Sequence, residues 1–219
     1  MTFYQASRLF EKEGNVMKKN KGISLLELII AVAVMAILIG VLTPMFVKQV
    51  NKSRKAKDLV TAERISTATY VALAENTDAF YQWEKGTDLK AKVSATVDGV
   101  TETYNVYLIV SNESNPYNCF HGTVGYFGKS DGSTGFYGSL NSQMGASTKA
   151  HNPSLVPSYK IKREGKLPGK DKYFSNVDTW RICKRVDNGQ LEVWTADHNR
   201  YGGYPCFRLW PNPDDAYTK

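Results

Sequence analysis

Residues 23–47 read ISLLELIIAVAVMAILIGVLTPMFV, and the rest of the chain is best understood from this stretch outward. Its breaks are Ser24, Glu27, Thr43 and Pro44, with Gly40 neutral. About 20 consecutive apolar residues are enough to cross a bilayer as a helix. A helix buried in a soluble core would carry a polar face recurring every 3.6 residues, and none recurs here. The stretch therefore predicts a membrane-spanning helix over about 23–47. A removable secretory signal has an apolar core of only about 7–15 residues and a small-residue cleavage site after it. This run is longer and ends in Thr43-Pro44-Met45-Phe46, so it is expected to stay attached.

Glu27 lies inside that run. A carboxylate in a membrane helix costs about 2.5–3.5 kcal/mol on insertion scales, which makes such a group a functional candidate with a partner. The bland alternative is that Glu27 lies close enough to the helix start to snorkel to the headgroups. Just upstream stand Lys18, Lys19, Lys21 and Gly22.

Lys18-Lys19-Asn20-Lys21-Gly22, followed by Ile23-Ser24-Leu25-Leu26-Glu27 and an unbroken apolar run, resembles the processing site of type IV pilins and type II secretion pseudopilins. The resemblance implies that prepilin peptidase cuts between Gly22 and Ile23 and methylates the new amine of Ile23. Lys18, Lys19 and Lys21 would be the basic residues of the leader, and Glu27, four residues past the new amine, the assembly residue. Ile23 replaces the Phe or Met that usually begins the mature chain, and Pro44 matches a helix-kinking proline of the family. The leader begins at Met1 or, in a compact form, at Met17. The implied protein is a non-enzymatic filament subunit without cofactor or metal. Its partners would be prepilin peptidase, other pilin subunits, an assembly platform with its ATPase, and membrane lipid. It would sit in the cell membrane as a single-pass protein, head outside the cytoplasm, before joining a cell-surface or extracellular filament. In low dielectric, the Ile23 amine of one subunit and Glu27 of another attract far more strongly than in water, which would set the axial register. The competing expectation is a single-pass anchored binding domain that never polymerises.

Helical character continues past the apolar run, with no Gly or Pro after Pro44 up to Glu75. Ala56, Leu59, Ala62, Ile65, Ala68 and Ala72 recur at the spacing of one helix face, predicting an amphipathic half that docks on a head. One helix over 23–75 would reach roughly 80 Å at 1.5 Å per residue. Gly40 and Pro44 should bend or loosen it, because Pro44 lacks a backbone donor. Lys48, Lys52, Arg54, Lys55 and Lys57 follow the span. They read better as headgroup contacts than as a nucleic-acid patch. Counting flanking cations would put this C-terminal side in the cytoplasm, opposite to the orientation the resemblance implies.

The expected organisation is a leader (1–22), a long helix (23–75) and a β-rich head (76–219). In the head, AKVSATV and VTETYNVYLIV flank Asp98-Gly99, a strong hairpin signal. Thr179–Val186 and Leu191–Ala196 predict a second hairpin, in which Lys184 interrupts the apolar alternation. Tyr204–Trp210 predicts a last strand, with Pro205 suited to an edge or strand start. Helix first and antiparallel strands after it argue for an α+β fold, a long helix packed on a small antiparallel sheet. Between the hairpins, residues 117–145 are rich in Gly and aromatics. A small hairpin turning near Asp131-Gly132 fits this stretch, and its aromatics would either pack back onto the sheet or form an exposed adhesive or inter-subunit surface.

Catalysis finds no support. His121, His151 and His198 are isolated, and no zinc or phosphate-loop spacing occurs. Lys160–Lys172 reads as a solvated basic loop rather than a DNA site. Three cysteines allow at most one bridge. The family resemblance implies Cys183–Cys206, worth about 3 kcal/mol on the chain-entropy model; a bond from Cys119 or no bond are the alternatives. The mean hydropathy of −0.38 excludes a polytopic membrane protein, but it and the net charge of +7 are averages over unlike segments. Residues 1–22 hold five Lys/Arg and two Asp/Glu, and 76–219 hold 17 and 15. The basicity thus lies mostly around the membrane segment, which makes nucleic acid a poor candidate partner.

Overall fold

The computed structural model describes residues 24–85, 90–111, 120, 133–146, 155–159, 162–165, 173–196 and 205–219. One helix, α1 (Leu25–Glu75), opens the described chain and continues through Pro44. The chain divides into two units, Met1–Val47 and Lys48–Lys219. In the first unit every described side chain is exposed.

The second unit is α+β, with the C-terminal half of α1 packed on a sheet. After α1 come α2 (Thr77–Lys85), β1 (Lys90–Val97), β2 (Val100–Ser111), α3 (Gly135–Gln143), β3 (Lys162–Gly165) and β4 (Tyr173–Asn176). Then follow β5 (Thr179–Arg185), β6 (Leu191–Ala196), β7 (Pro205–Trp210) and α4 (Asp215–Thr218). The main sheet is antiparallel in the order β1-β2-β5-β6-β7, and β3 pairs with β4 separately.

Both expected hairpins form. Asp98 and Gly99 have φ of 51° and 81°, the two left-handed residues that a tight hairpin turn needs to match strand twist. The ladder runs from Val97↔Val100 to Lys90↔Tyr107. β5 and β6 pair from Lys184↔Leu191 to Thr179↔Ala196. Pro205 begins β7, an edge strand, where its missing donor costs least.

Side-chain alternation splits the core into two layers. On one face Trp180, Ile182, Leu191, Val193, Phe207 and Leu209 meet Ala62, Ile65, Ala68, Ala72 and Leu73 of α1. Apart from Leu73 these α1 residues belong to the anticipated stripe, of which Ala56 is exposed and Leu59 only half-buried. On the other face Cys183 and Trp194 meet Ala91, Val93, Ala95 and Val106. All of β6 and nearly all of β5 are consequently buried on both faces. The sheet curls enough for its two outer strands to approach: the Thr96 N–H, on β1, donates to Asp214 Oδ2, just past β7, at 3.0 Å.

Three elements differ from the sequence reading. Gly135-Phe136-Tyr137-Gly138 starts a helix, α3, that buries both aromatics and thus favours the folded-back alternative; the turn proposed at Asp131-Gly132 lies outside the described residues. Gly138 is required there, because a Cβ would come within 2.9 Å of the Ser133 carbonyl oxygen. Within the 160–172 segment, read from sequence as a loop, Lys162–Gly165 form β3 and pair with β4 from Lys162↔Asn176 to Gly165↔Tyr173; residues 166–172 lie outside the described residues. The third, α2, immediately after α1, was not foreseen. Lys184 explains itself through α2: its Nζ donates to the carbonyls of Trp83 (2.7 Å) and Glu84 (3.0 Å) in the last turn of that helix. A cation there satisfies orphan carbonyls and complements the helix dipole. The break in alternation is a helix cap.

Candidate functional site

The candidate site is the start of α1. Leu28 N–H donates to the Ser24 carbonyl at 3.0 Å, closing the first turn. From Leu25 to Val47 nothing among the described residues covers the helix: Leu25 is 76% exposed and Phe46 70%. Among the described residues this is the one helix long and apolar enough to cross a membrane. Each large apolar side chain left in water forfeits about 1.5–3 kcal/mol, so a surface of this extent demands lipid or other apolar helices around it.

Glu27 is the single charge in this stretch and falls in the first turn of α1, where a carboxylate faces the positive end of the helix dipole. Further along, Thr43 Oγ1 donates to the Ile39 carbonyl at 2.6 Å. Pro44 leaves the Gly40 carbonyl without its main-chain donor, yet the helix continues. A Cβ at Gly40 would meet nothing within 4 Å, so this position offers a small, open surface to a close neighbour. Gly22, Ile23, Lys18, Lys19 and Lys21 lie outside the described residues, as do Cys119 and the three histidines.

In the second unit the structure holds α1 to the head through polar groups that sequence reasoning did not single out. Asp58, buried on α1, accepts the N–H groups of Ser158 (2.7 Å) and Tyr159 (2.8 Å). Burial pushes its carboxyl above the ordinary aspartate value, against the two backbone donors. Lys55 Nζ donates to the Lys219 carbonyl at 3.3 Å and lies 5.1 Å over the Tyr159 ring. Ser139 donates to the Glu75 carboxylate at the end of α1. The Asp215 carboxylate accepts the N–H groups of Asp98 (3.0 Å) and Gly99 (2.9 Å), fixing the β1–β2 turn.

A buried ionic network lies on the sheet face away from α1. Glu192 Oε1 accepts from Tyr104 Oη (2.8 Å) and Arg208 Nη1 (3.1 Å), while Oε2 accepts from Trp194 Nε1 (2.8 Å). Arg208 Nη1 also donates to Tyr104 Oη (2.8 Å), and its Nε donates to the Asn212 carbonyl (2.9 Å). Burial, helped by the charge of Glu192, holds the Tyr104 phenol well above its ordinary value, so it stays a donor. Every carboxylate oxygen is engaged, which marks the network as structural.

The structure does not bring Cys183 and Cys206 together. Cys183 belongs to the β1–β2 layer and Cys206 to the α1 layer, and no bond joins them. Their strands, β5 and β7, are separated by β6. Two strand spacings come to about 9.6 Å, beyond the roughly 7 Å that a disulfide spans between Cα atoms. The bridge implied by the resemblance is therefore not formed. Among the described residues no group of three or more His, Cys, Asp or Glu could hold a metal ion.

Residues 17–43 match the family model of the prokaryotic N-terminal methylation motif. This motif is the hallmark of type IV pilins and pseudopilins, and it supports a pilin-type precursor processed by prepilin peptidase. Proteins defined by it are structural rather than catalytic. The match takes in the basic residues Lys18, Lys19 and Lys21 and most of the apolar run, and stops short of the head. No curated protein and no solved structure matches the chain.

Proposed function

We propose that the chain is a structural subunit of a type IV pilus or a type II secretion-like pseudopilus. It is cut between Gly22 and Ile23, methylated at Ile23, and held in the membrane by residues 23–47 with its head outside the cytoplasm. An assembly platform and its ATPase then draw it into a filament, in which the apolar helix exchanges lipid for the helices of other subunits. In this reading the Ile23 amine of one subunit pairs with Glu27 of another, and the Cβ-free surface at Gly40 allows close helix approach.

One observation carries the reading: the N-terminal methylation motif coincides with a helix segment that is apolar, uncovered among the described residues, and marked by a single carboxylate. A covered apolar helix would speak for a packed core. A carboxylate inside an apolar segment calls for a partner, and a junction between subunits supplies one.

Mass spectrometry of the mature N-terminus tests this directly. The expected product begins at Ile23 and is heavier by one methyl group. An unprocessed chain, or one beginning at Ile23 without methylation, would count against it and favour an anchored domain that does not polymerise.

A further inference from the structure

The filament reading does not use the basic turns after the span, whose sequence reads as headgroup contacts without saying which cations act or on which lipid. Lys48, Lys52, Arg54, Lys55 and Lys57 lie within ten residues of α1. Lys55 has an occupation, the Lys219 carbonyl and the Tyr159 ring. Lys48, Lys52, Arg54 and Lys57 are exposed, and among the described residues no ion pair holds any of them. The nearest acid on this stretch, Asp58, is buried and accepts the backbone N–H groups of Ser158 and Tyr159; it feels the charge of Lys57 but forms an ion pair with none of the four.

We propose that Lys48, Lys52, Arg54 and Lys57 form a collar that binds the phosphate-bearing headgroups of anionic phospholipid in the leaflet from which α1 emerges. This rests only on the membrane anchoring in the reading above, and adds to it a preference for lipid charge. Three observations single out lipid. At about 100° per residue, Lys48 and Lys52 share one side of the helix while Arg54 and Lys57 project from the other. A protein or duplex docking on one face would be served by one side; a surface pierced by the helix meets all sides. Helical side chains also lean toward the helix N-terminus, so each cation tilts back toward the apolar run. Depth agrees as well. Lys48 and Lys52 stand about 1.5 and 7.5 Å beyond Val47, within the roughly 5–8 Å headgroup layer. Arg54 and Lys57, at about 10 and 15 Å, act through reach and through a field screened over about 10 Å. The collar is therefore graded, strongest next to the span.

The test uses the full chain in mixed micelles containing equal phosphatidylglycerol and phosphatidylcholine, with co-purified lipid counted by native mass spectrometry. The unaltered chain should retain phosphatidylglycerol in excess, and the excess should shrink as salt rises. Each cation at a membrane surface is worth about fivefold in binding. Lys48→Gln with Lys52→Gln should therefore cut the excess by about tenfold or more, and Arg54→Gln with Lys57→Gln by a smaller factor. Lys55→Gln should leave it nearly unchanged. The proposal is overturned if neither double variant alters the ratio, or if Lys55→Gln costs as much as Lys48→Gln with Lys52→Gln. It is also overturned if inorganic phosphate at the lipid concentration, or a DNA duplex, displaces the lipid. Processing and filament formation are not read here, so failure of the polymer reading and failure of the collar are separate outcomes.

Discussion

Glu192 and Arg208 show what a buried charge demands. The pair is 3.1 Å apart with side chains 0% and 5% exposed, and it is tolerable because Tyr104, Trp194 and the Asn212 carbonyl complete its hydrogen bonds. Glu192→Leu leaves Arg208 buried without its counter-charge, and a loss of about 3–5 kcal/mol is expected in urea unfolding of the full chain in detergent. Replacing both, with Glu192→Leu and Arg208→Met, should cost less than either alone, because no charge is then stranded. Asp58 gives a pH signature. Its folded-state carboxyl is raised by burial, so the stability it contributes is complete below the ordinary aspartate value of 3.8 and is lost as pH rises through the higher folded value. Asp58→Asn cannot ionise. Unfolding curves recorded from pH 3.5 to 7 should show the variant gaining on the unaltered chain as pH rises across that window, then a constant difference. A difference that moves the opposite way would mean that the two backbone donors outweigh burial.

At the scale of elements, local chemistry and packing divide the work. Asp98-Gly99 is sufficient to place the β1–β2 turn, because few residue pairs adopt two consecutive left-handed conformations. The α1 stripe is equally local: its 3.6-residue recurrence is visible in Ala62, Ile65, Ala68 and Ala72. α3 is different. Its stretch, rich in Gly and Ser, has poor helix propensity, and it is helical because Phe136, Tyr137 and Leu140 are buried in the main core. Gly138→Ala improves intrinsic propensity yet drives a Cβ against the backbone of Ser133. A net destabilisation of about 1–3 kcal/mol is expected, with faster amide exchange confined to α3. A stabilised variant would mean that Ser133 yields freely.

At the scale of the molecule, one helix serves two solvents. Its N-terminal half is apolar on all sides and suits lipid or a bundle of its own copies; its C-terminal half is apolar on one stripe and suits a sheet. The function proposed for Glu27 belongs here, since it appears only when copies meet. Glu27→Ala is expected to leave membrane insertion and processing intact and to abolish filaments in electron micrographs; normal filaments would sink the pairing of Glu27 with the Ile23 amine. Protease added to intact cells should digest the head. Protection of the head would instead favour the orientation that flanking charge suggests.

Much of this molecule is written in short-range pattern. The methylation motif, the apolar run, the amphipathic half of α1, both main hairpins and the start of β7 at Pro205 each depend on residues within a few positions of one another. Lys184 looked like a flaw in an alternating strand because its reason, the end of α2, lies some hundred residues away. Asp58, Glu192 and Arg208 carried no signal for the same reason: a lone charge in a sequence reads as solvated until its distant partners are known. The pairing of Cys183 with Cys206, drawn from likeness alone, fails because β6 lies between their strands. Local periodicity and turn chemistry are properties of neighbours along the chain. Burial on both faces, the ionic network and the reach between thiols arise when the sheet curls and long-range contacts replace water.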